Sequence, residues 1–268
     1  MRPVLEAACM CITGRVRRNN EDNFYFHGTC LHEIHDGLGE AVTQKSTLNS
    51  PFCAAVFDGV GGENFGEKAS YTAAKQMESM LRAGFSMTRT SDADVLVQAL
   101  NLAVVREKER LLTRHMGSTL AGIWIEKNTV RAYNLGDSRI YRFRHGVLQQ
   151  ISQDHTEDRP MGASEKPAIT QYLGVSPEEM RLEAAVFTEE PQAGDRYLLC
   201  SDGLTDMVAD GEISAVLQKN DGTEQAVRCL MQEALQHGGK DNITVILADI
   251  RPRRLRDSMG KGWKRWRD

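Results

Sequence analysis

Four aspartates in this chain lie where an apolar, strand-like run meets a tight turn: Asp58, Asp137, Asp202 and Asp241. The first three end such a run and precede a turn-forming Gly or Ser, whereas the fourth follows a Gly-Gly-Lys segment and opens a run. Because aspartate is disfavoured inside strands, its recurrence at strand ends predicts carboxylates gathered at one edge of a sheet. Clustered carboxylates repel one another unless a cation neutralises them, and oxygen ligands suit Mg²⁺ or Mn²⁺. The pattern therefore favours a metal-dependent hydrolase.

A charged segment near the N-terminus adds a group suited to phosphate. Arg17 precedes the adjacent carboxylates of Glu21 and Asp22 at the junction between a polar turn and a strand-like run. The planar guanidinium of arginine matches phosphate oxygens, and carboxylates hold metal ions or their bound waters. Taken singly, this segment is better explained as a solvated turn, and each aspartate as a structural turn residue. The joint occurrence of all five segments is what favours a site.

The glycines after Asp58 leave backbone groups accessible where a predicted buried strand meets a predicted helix. An aspartate oxygen beside the carbonyl of Gly59 is a candidate pocket for a hard cation. The segment fits neither the dinucleotide fingerprint G-x-G-x-x-G nor a P-loop, since no Walker lysine follows it.

The composition is that of an ordinary globular protein: 268 residues, of which 41% are apolar and 26% charged. No run approaches the roughly 20 apolar residues of a membrane-spanning helix, and the apolar stretch at the N-terminus is too short for a signal peptide. The six cysteines have no disulfide-framework or Cys-x-x-Cys spacing. We therefore expect a cytoplasmic protein.

The net charge of −4 is unevenly distributed. Residues 251–268 contain eight Lys or Arg and two Asp, which gives a net charge of +6. Residues 1–250 therefore carry a net charge of −10. We expect one domain over 1–250 that binds no nucleic acid, followed by a basic tail that contains Trp263 and Trp266. We interpret the tail as a solubilising end. Contact of the tail with an anionic membrane surface or an acidic partner is the alternative interpretation.

Periodicity predicts the elements that must position these residues. Strands are expected at 4–13, 22–28 and 51–58, helices at 64–83 and 92–115, an antiparallel strand meander at 118–152, further strands at 180–187, 195–200 and 242–250, and a helix near 223–237. A polar excursion covers 155–178. Two groups of helices among antiparallel strands predict an α+β fold, a four-layer α-β-β-α sandwich of two antiparallel sheets flanked by helices. Strand ends of both sheets would then meet at one rim.

In their order and spacing these motifs resemble the metal-dependent Ser/Thr protein phosphatases, the PPM family or type 2C, and most closely its bacterial branch. The resemblance extends over most of residues 10–250. It includes three further segments, at 117–120, 153–156 and 172–174. The fold of that family, two antiparallel sheets flanked by helices, agrees with the architecture predicted from periodicity.

The resemblance implies a metal centre. Asp58 would bridge two Mn²⁺ or Mg²⁺ ions, and the carbonyl of Gly59 would complete one coordination shell. Asp202 and Asp241 would ligate the other ion. Asp137, together with Asp202, matches a weaker third metal site of bacterial members.

The resemblance also implies the reaction. Arg17 would hold the substrate phosphate, and Glu21 and Asp22 would act mainly through metal-bound water. A water or hydroxide that bridges the two ions would attack phosphorus in phosphoserine or phosphothreonine of proteins, without a phosphoenzyme. The expected partners are phosphoproteins, the products of a Ser/Thr kinase, and we expect a monomer.

Two departures from the family pattern concern the leaving group and the excursion. Val60 stands where many eukaryotic relatives have a His proposed as general acid, which leaves His155 and His35 as unsupported candidates. The excursion at 155–178 is shorter than the usual bacterial flap, so the sequence does not define specificity or third-metal geometry.

Two alternatives remain. One is a non-catalytic signalling module with the same fold, which the intact Arg17, Asp58, Asp202 and Asp241 argue against. The other is a different two-metal phosphoesterase, such as a nuclease or a small-molecule phosphatase. The acidic body disfavours a nuclease.

Overall fold

The computed structural model describes residues 4–48, 50–61, 65–158 and 166–252. Its strands are β1 Val4–Ile12, β2 Asp22–Tyr25, β3 Val42–Thr47, β4 Phe52–Val60, β5 Gly117–Ser118, β6 Leu120–Glu126, β7 Thr129–Leu135, β8 Arg139–Arg144, β9 Val147–Gln150, β10 Ala185–Glu189, β11 Arg196–Cys200 and β12 Ile243–Arg251. Its helices are α1 Gly66–Arg82, α2 Asp92–Arg110, α3 Asp202–Thr205, α4 Asp210–Lys219 and α5 Thr223–Gln236.

The strands form two antiparallel sheets. The first has the order β3-β1-β12-β11-β8-β9, and the second has the order β10-β7-β6-β4-β2, with the short β5 paired to β4. Helices α1 and α2 pack on the outer face of the second sheet, and α3, α4 and α5 on that of the first. The predicted four-layer α-β-β-α sandwich is confirmed.

Strand alternation divides the core into three apolar layers. In β1, Leu5 and Cys9 face the space between the sheets, whereas Ala8 faces the helices on the other side. In β4, Val56 faces the intersheet space and Phe57 faces α1 and α2. The intersheet layer therefore consists of every second residue of each central strand.

Some predicted boundaries differ from the structure for identifiable reasons. Helix α2 ends at Arg110, not at residue 115, because Leu112 has a left-handed backbone with φ of 53°. Strand β3 was missed because it is a polar edge strand paired to β1 alone among the described strands. Helix α4 was also missed, since its buried face comprises only Ile213 and Leu217.

Ser91 occupies the N-cap position of α2, a place where serine often caps a helix. Within the part of the chain that the structure describes, its side chain makes no capping hydrogen bond. The carboxylate of Asp92 instead accepts hydrogen bonds from the amides of Thr88 and Arg89, which precede the helix.

The basic tail lies outside the described residues except for its first two positions. Among the helices that the structure describes, none has both the length and the apolar character needed to cross a membrane.

Two glycines allow backbone segments to meet at the rim. A Cβ on Gly59 would lie 2.2 Å from the carbonyl oxygen of Gly66 and 2.6 Å from that of Glu21. A Cβ on Gly203 would lie 1.9 Å from the carbonyl oxygen of Asn242. Each Asp-Gly pair therefore places an acidic residue next to a position where only hydrogen fits.

We expect Gly203→Ala to destabilise the protein by about 1–3 kcal/mol, because the added methyl must displace the backbone at Asn242. Urea unfolding measures this change. Gly211→Ala, in α4, is the matched control. A Cβ on Gly211 would have no atom within 4 Å, and alanine favours a helix. Equal stability of the two variants would contradict the close approach.

Candidate active site

The carboxylates at the rim continue the alternation that builds the intersheet layer. Asp22 and Asp58 lie directly opposite each other in the β2–β4 ladder. Asp22 stands two residues before Phe24 and Asp58 two residues after Val56, so both have the parity of the intersheet face. Apolar side chains thus give way to acidic ones at one end of this layer.

The buried carboxylate of Asp22 joins the two sheets. Its Oδ2 accepts hydrogen bonds from Ser201 Oγ and Thr244 Oγ1, both at 2.7 Å. Ser201 follows β11 and Thr244 lies in β12, so both donors belong to the first sheet, whereas Asp22 belongs to the second. Asp22 is 1% exposed. These bonds fix the distance between the sheets at the rim.

The side-chain amide of Asn242 holds the N-terminal charged segment in place. Its Oδ1 accepts from the amide of Glu21 at 2.8 Å, and its Nδ2 donates to the carbonyls of Thr13 and Asn19, both at 2.9 Å. The neighbouring Asp241 Oδ2 accepts a hydrogen bond from Arg17 Nη2 at 2.7 Å. The guanidinium is thereby placed beside a carboxylate from the opposite end of the chain.

A cavity of about 600 Å³ opens at this rim. The structure brings seven predicted site residues to its wall: Arg17, Glu21, Asp58, Gly59, Asp137, Asp202 and Asp241. The eighth, Asp22, is buried beneath this surface. The predicted residues therefore form one site, with Asp22 in its supporting layer.

The carboxylates in the cavity disfavour one another's charge. Burial raises the pKa of Asp58 well above its usual value, and the carboxylates of Asp22 and Asp137 raise it further. Burial likewise raises the pKa of Glu21, against a hydrogen bond from Asn19 that lowers it. A cation in this cavity would relieve the repulsion.

The donor set fits hard divalent ions. The wall offers carboxylate oxygens from three separate segments, at Asp58, Asp202 and Asp241, and oxygen ligands are those that Mg²⁺ and Mn²⁺ prefer. Asp137 Oδ1 is buried and has no hydrogen-bond partner among the described residues. Within those residues, no three His, Cys, Asp or Glu side chains are placed so that they could together hold one metal ion. The site thus supplies the ligand chemistry without a preformed shell.

A lysine from the polar excursion reaches into the cavity. Lys166 Nζ pairs with Asp202 Oδ2 and lies 3.3 Å from Asp137 Oδ2 and 3.4 Å from Asp206 Oδ2. Burial lowers the pKa of Lys166, but the facing carboxylates outweigh burial and raise it. Sequence reasoning missed Lys166, because no local pattern marks a side chain that reaches the site from a distant loop. It also missed Asp206, which directly follows the short helix α3 that begins at Asp202.

The histidines considered as general acids lie away from the cavity wall. Nδ1 of His155 accepts the amide of Gly136 at 3.2 Å, and Nδ1 of His35 accepts the amide of Gly37 at 3.0 Å. His115, which the sequence did not single out, lines the cavity together with Arg114. The signal for His115 is the pairing of β5 with β4. Gly117 lies opposite Val60, which brings the residues just before Gly117 to the rim.

A family model described as protein phosphatase 2C matches residues 40–247. This match covers more than half of the chain. The chain belongs to the protein phosphatase 2C family. The family and the fold that the motifs indicated are therefore confirmed.

The related phosphatases are bacterial. The chain is 33% identical over 257 residues to the Ser/Thr protein phosphatase PstP of Mycobacterium tuberculosis. The aligned region covers 92% of this chain and 45% of the relative. The chain thus spans less than half the length of that relative. The chain is also 28% identical over 253 residues to the Ser/Thr phosphatase stp of Listeria monocytogenes. That aligned region covers 88% of this chain and 92% of the relative.

The fold of this protein phosphatase 2C chain also matches solved structures. One is the catalytic domain of PstP in complex with two manganese ions, with a TM-score of 0.73 and 32% identity. The match covers 93% of this chain and 100% of that one. The structural match therefore extends over nearly the whole chain.

We expect Thr244→Val to lower the free energy of unfolding by about 1–3 kcal/mol, because a nearly isosteric change removes one of two donors to the buried Asp22 carboxylate. Urea unfolding measures it. Thr188→Val, on the exposed side of β10, is the matched control and should change stability by less than about 0.5 kcal/mol. A Thr244→Val protein as stable as wild type would show that the tie between the sheets adds nothing.

We expect Asp58→Asn to stabilise the protein in a chelator at about pH 8 by on the order of 1 kcal/mol. The raised pKa of Asp58 means that the folded state binds more protons than the unfolded state. Its contribution to stability therefore falls as pH rises from about 4, the unfolded pKa, through the folded pKa.

Thermal unfolding in chelator across this pH range measures the difference. The gain should shrink as pH falls toward 4, where both states are protonated. Asp94→Asn, on the exposed face of α2, is the control and should give no gain. A wild-type protein more stable than Asp58→Asn at pH 8 in chelator would contradict the repulsion.

Proposed function

We propose that this chain hydrolyses phosphoserine and phosphothreonine in proteins and that it does so with two Mn²⁺ or Mg²⁺ ions. The observation that carries the proposal is the placement of Arg17 beside Asp58, Asp202 and Asp241 around one cavity of a protein phosphatase 2C fold. The manganese complex of the PstP catalytic domain supports the choice of ions.

The carboxylates supply the ion-binding groups. Asp58 from the second sheet and Asp202 and Asp241 from the ends of the first sheet would hold the two ions between them. Glu21 would act through bound water, and Asp22 would fix the rim from beneath. Divalent ions bound at this site would supply an activated water at neutral pH and stabilise charge on the phosphoryl group.

Arg17 orients the phosphate. Its hydrogen bond to Asp241 uses one of five guanidinium N–H donors, and the side chain is 49% exposed at the cavity mouth. The remaining donors would bind two phosphate oxygens in a forked arrangement. The same carboxylate that would hold an ion therefore also sets the direction from which the phosphate enters.

The remaining parts of the proposal concern partners and boundaries. Phosphorylated proteins are the proposed substrates, a Ser/Thr kinase is the proposed source of them, and the protein is proposed to act as a cytoplasmic monomer. Residues 1–250 are proposed as the catalytic domain, with a separate basic tail at 251–268. The relatives named as Ser/Thr phosphatases support the substrate class.

The test is hydrolysis of a phosphothreonine peptide by the full chain with Mn²⁺ and with chelator. We expect activity only with the ion. We expect Asp58→Asn and Asp202→Asn to lower kcat/KM by about 10²-fold or more, since changes outside the ligand shell alone cost 10–100-fold. Asp94→Asn should retain wild-type activity.

The outcomes separate the competing functions. Undiminished activity in Asp58→Asn and Asp202→Asn would contradict the metal-site assignment. Inactivity under every condition would favour a non-catalytic signalling module. Hydrolysis of small phosphate esters with no measurable action on phosphopeptides would favour a different phosphoesterase.

A further inference from the structure

The polar excursion delivers one cation to the acidic side of the cavity. Lys166 Nζ pairs with Asp202 and lies within 3.4 Å of both Asp137 and Asp206. An ammonium has three donors in a compact head, so it can serve three carboxylates at once. Each of these ion pairs is with a carboxylate that lines the cavity.

Asp137 makes this position different from an ordinary surface ion pair. It is 6% exposed, and its Oδ1 has no hydrogen-bond partner among the described residues. A buried carboxylate is costly unless a positive charge or donors compensate it. Lys166 at 3.3 Å from Oδ2 is the cationic group that the structure places against it.

Arg17 and Lys166 approach the carboxylates from different segments. Arg17 pairs with Asp241, next to the segment that holds Glu21. Lys166 pairs with Asp137, Asp202 and Asp206 instead. The two cations therefore serve different carboxylates, and only Lys166 contacts those that the sequence linked to an additional ion.

We propose that the ammonium of Lys166 takes the accessory cation position between Asp137 and Asp202, so that this chain fills with its own side chain a place that a third divalent ion would otherwise occupy. The inference builds on the proposed function, since it assumes that the other two ions bind at Asp58, Asp202 and Asp241. The excursion then acts as a built-in counter-ion, and a third ion enters only when Lys166 is withdrawn or replaced.

The charge balance supports this assignment over a role in phosphate binding. An ammonium held by three carboxylates is already neutralised, and a phosphate dianion would have to draw it out of that arrangement. Arg17, with one carboxylate partner, retains free guanidinium donors for phosphate. A lysine that mainly bound substrate would change the KM for a phosphopeptide and leave metal binding unchanged.

The experiment counts the Mn²⁺ ions bound per chain by titration, with the free ion followed by electron paramagnetic resonance. We expect Lys166→Gln to bind about one ion more than wild type, because three carboxylates regain oxygen positions for a hard cation. Lys166→Arg keeps the charge and should bind the wild-type number. Lys219→Gln, an exposed lysine at the end of α4, is the matched control and should also bind the wild-type number.

A double variant identifies the position of the added ion. Lys166→Gln combined with Asp137→Asn should lose the extra ion and return to the wild-type number. Metal binding is measured without substrate, so the result does not depend on turnover. Thermal unfolding of each variant in chelator verifies that it is folded.

Each outcome bears on the inference. Equal ion numbers for wild type and Lys166→Gln, with two ions in both, would overturn it and leave the proposed function standing. A raised KM for a phosphothreonine peptide in Lys166→Gln with unchanged ion binding would overturn it in favour of phosphate binding. A wild-type chain that binds no Mn²⁺ would overturn the proposed function and this inference together.

Discussion

The carboxylate of Asp22, buried between the two sheets, is the interaction on which the geometry of the site depends. It lies in the second sheet and accepts hydrogen bonds from Ser201, directly after β11, and from Thr244 in β12, two strands of the first sheet. Ser201 immediately precedes Asp202, and Thr244 lies three residues after Asp241, so the same bonds hold both segments at the cavity that Asp58 also lines. Burial raises the pKa of Asp22, while the two hydroxyl donors lower it and compensate part of the cost. A sandwich held only by apolar contacts would leave the spacing of its rim free to vary.

The alternation that closes the core also builds the site. Along β4, Ala54 and Val56 fill the intersheet layer, and Asp58 occupies the next position of the same face. The first sheet follows the same rule, since Ile246 lies in the apolar layer and Thr244, two residues earlier, reaches the rim. The transition from apolar to polar within each strand sets the depth of the cavity. Short backbone approaches at Gly59 and Gly203 then bring neighbouring segments together on each side of this rim.

The sequence was sufficient for the layers of the fold and for most of the cavity wall, because both depend on local patterns. Apolar runs identified the central strands, and Asp-Gly pairs marked positions close to the ends of β4 and β11. The contacts of Lys166 with Asp137 and Asp206 could not be found in this way, since they join residues far apart in the sequence. The supporting role of Asn242 was also not predictable, because an asparagine after an aspartate is typical of a simple turn. Its hydrogen bonds to the carbonyls of Thr13 and Asn19 are visible only in the structure. Long-range contacts between polar residues have no periodicity that a single sequence displays.

The acidic residues at the rim lower the stability of the fold at a place that the proposed function requires. Burial and the carboxylates of Asp22, Asp137 and Asp241 together raise the pKa of Asp58, so the cavity opposes ionisation of this residue. Two basic side chains of the chain itself, Arg17 and Lys166, pair with carboxylates of the same cavity and offset part of that cost. The charges of both also act on Asp58, since Lys166 lowers the pKa of Asp58 and Asp58 raises the pKa of Arg17. A divalent ion bound in this cavity would therefore compete with Arg17 and Lys166 for the carboxylates of Asp241 and Asp202.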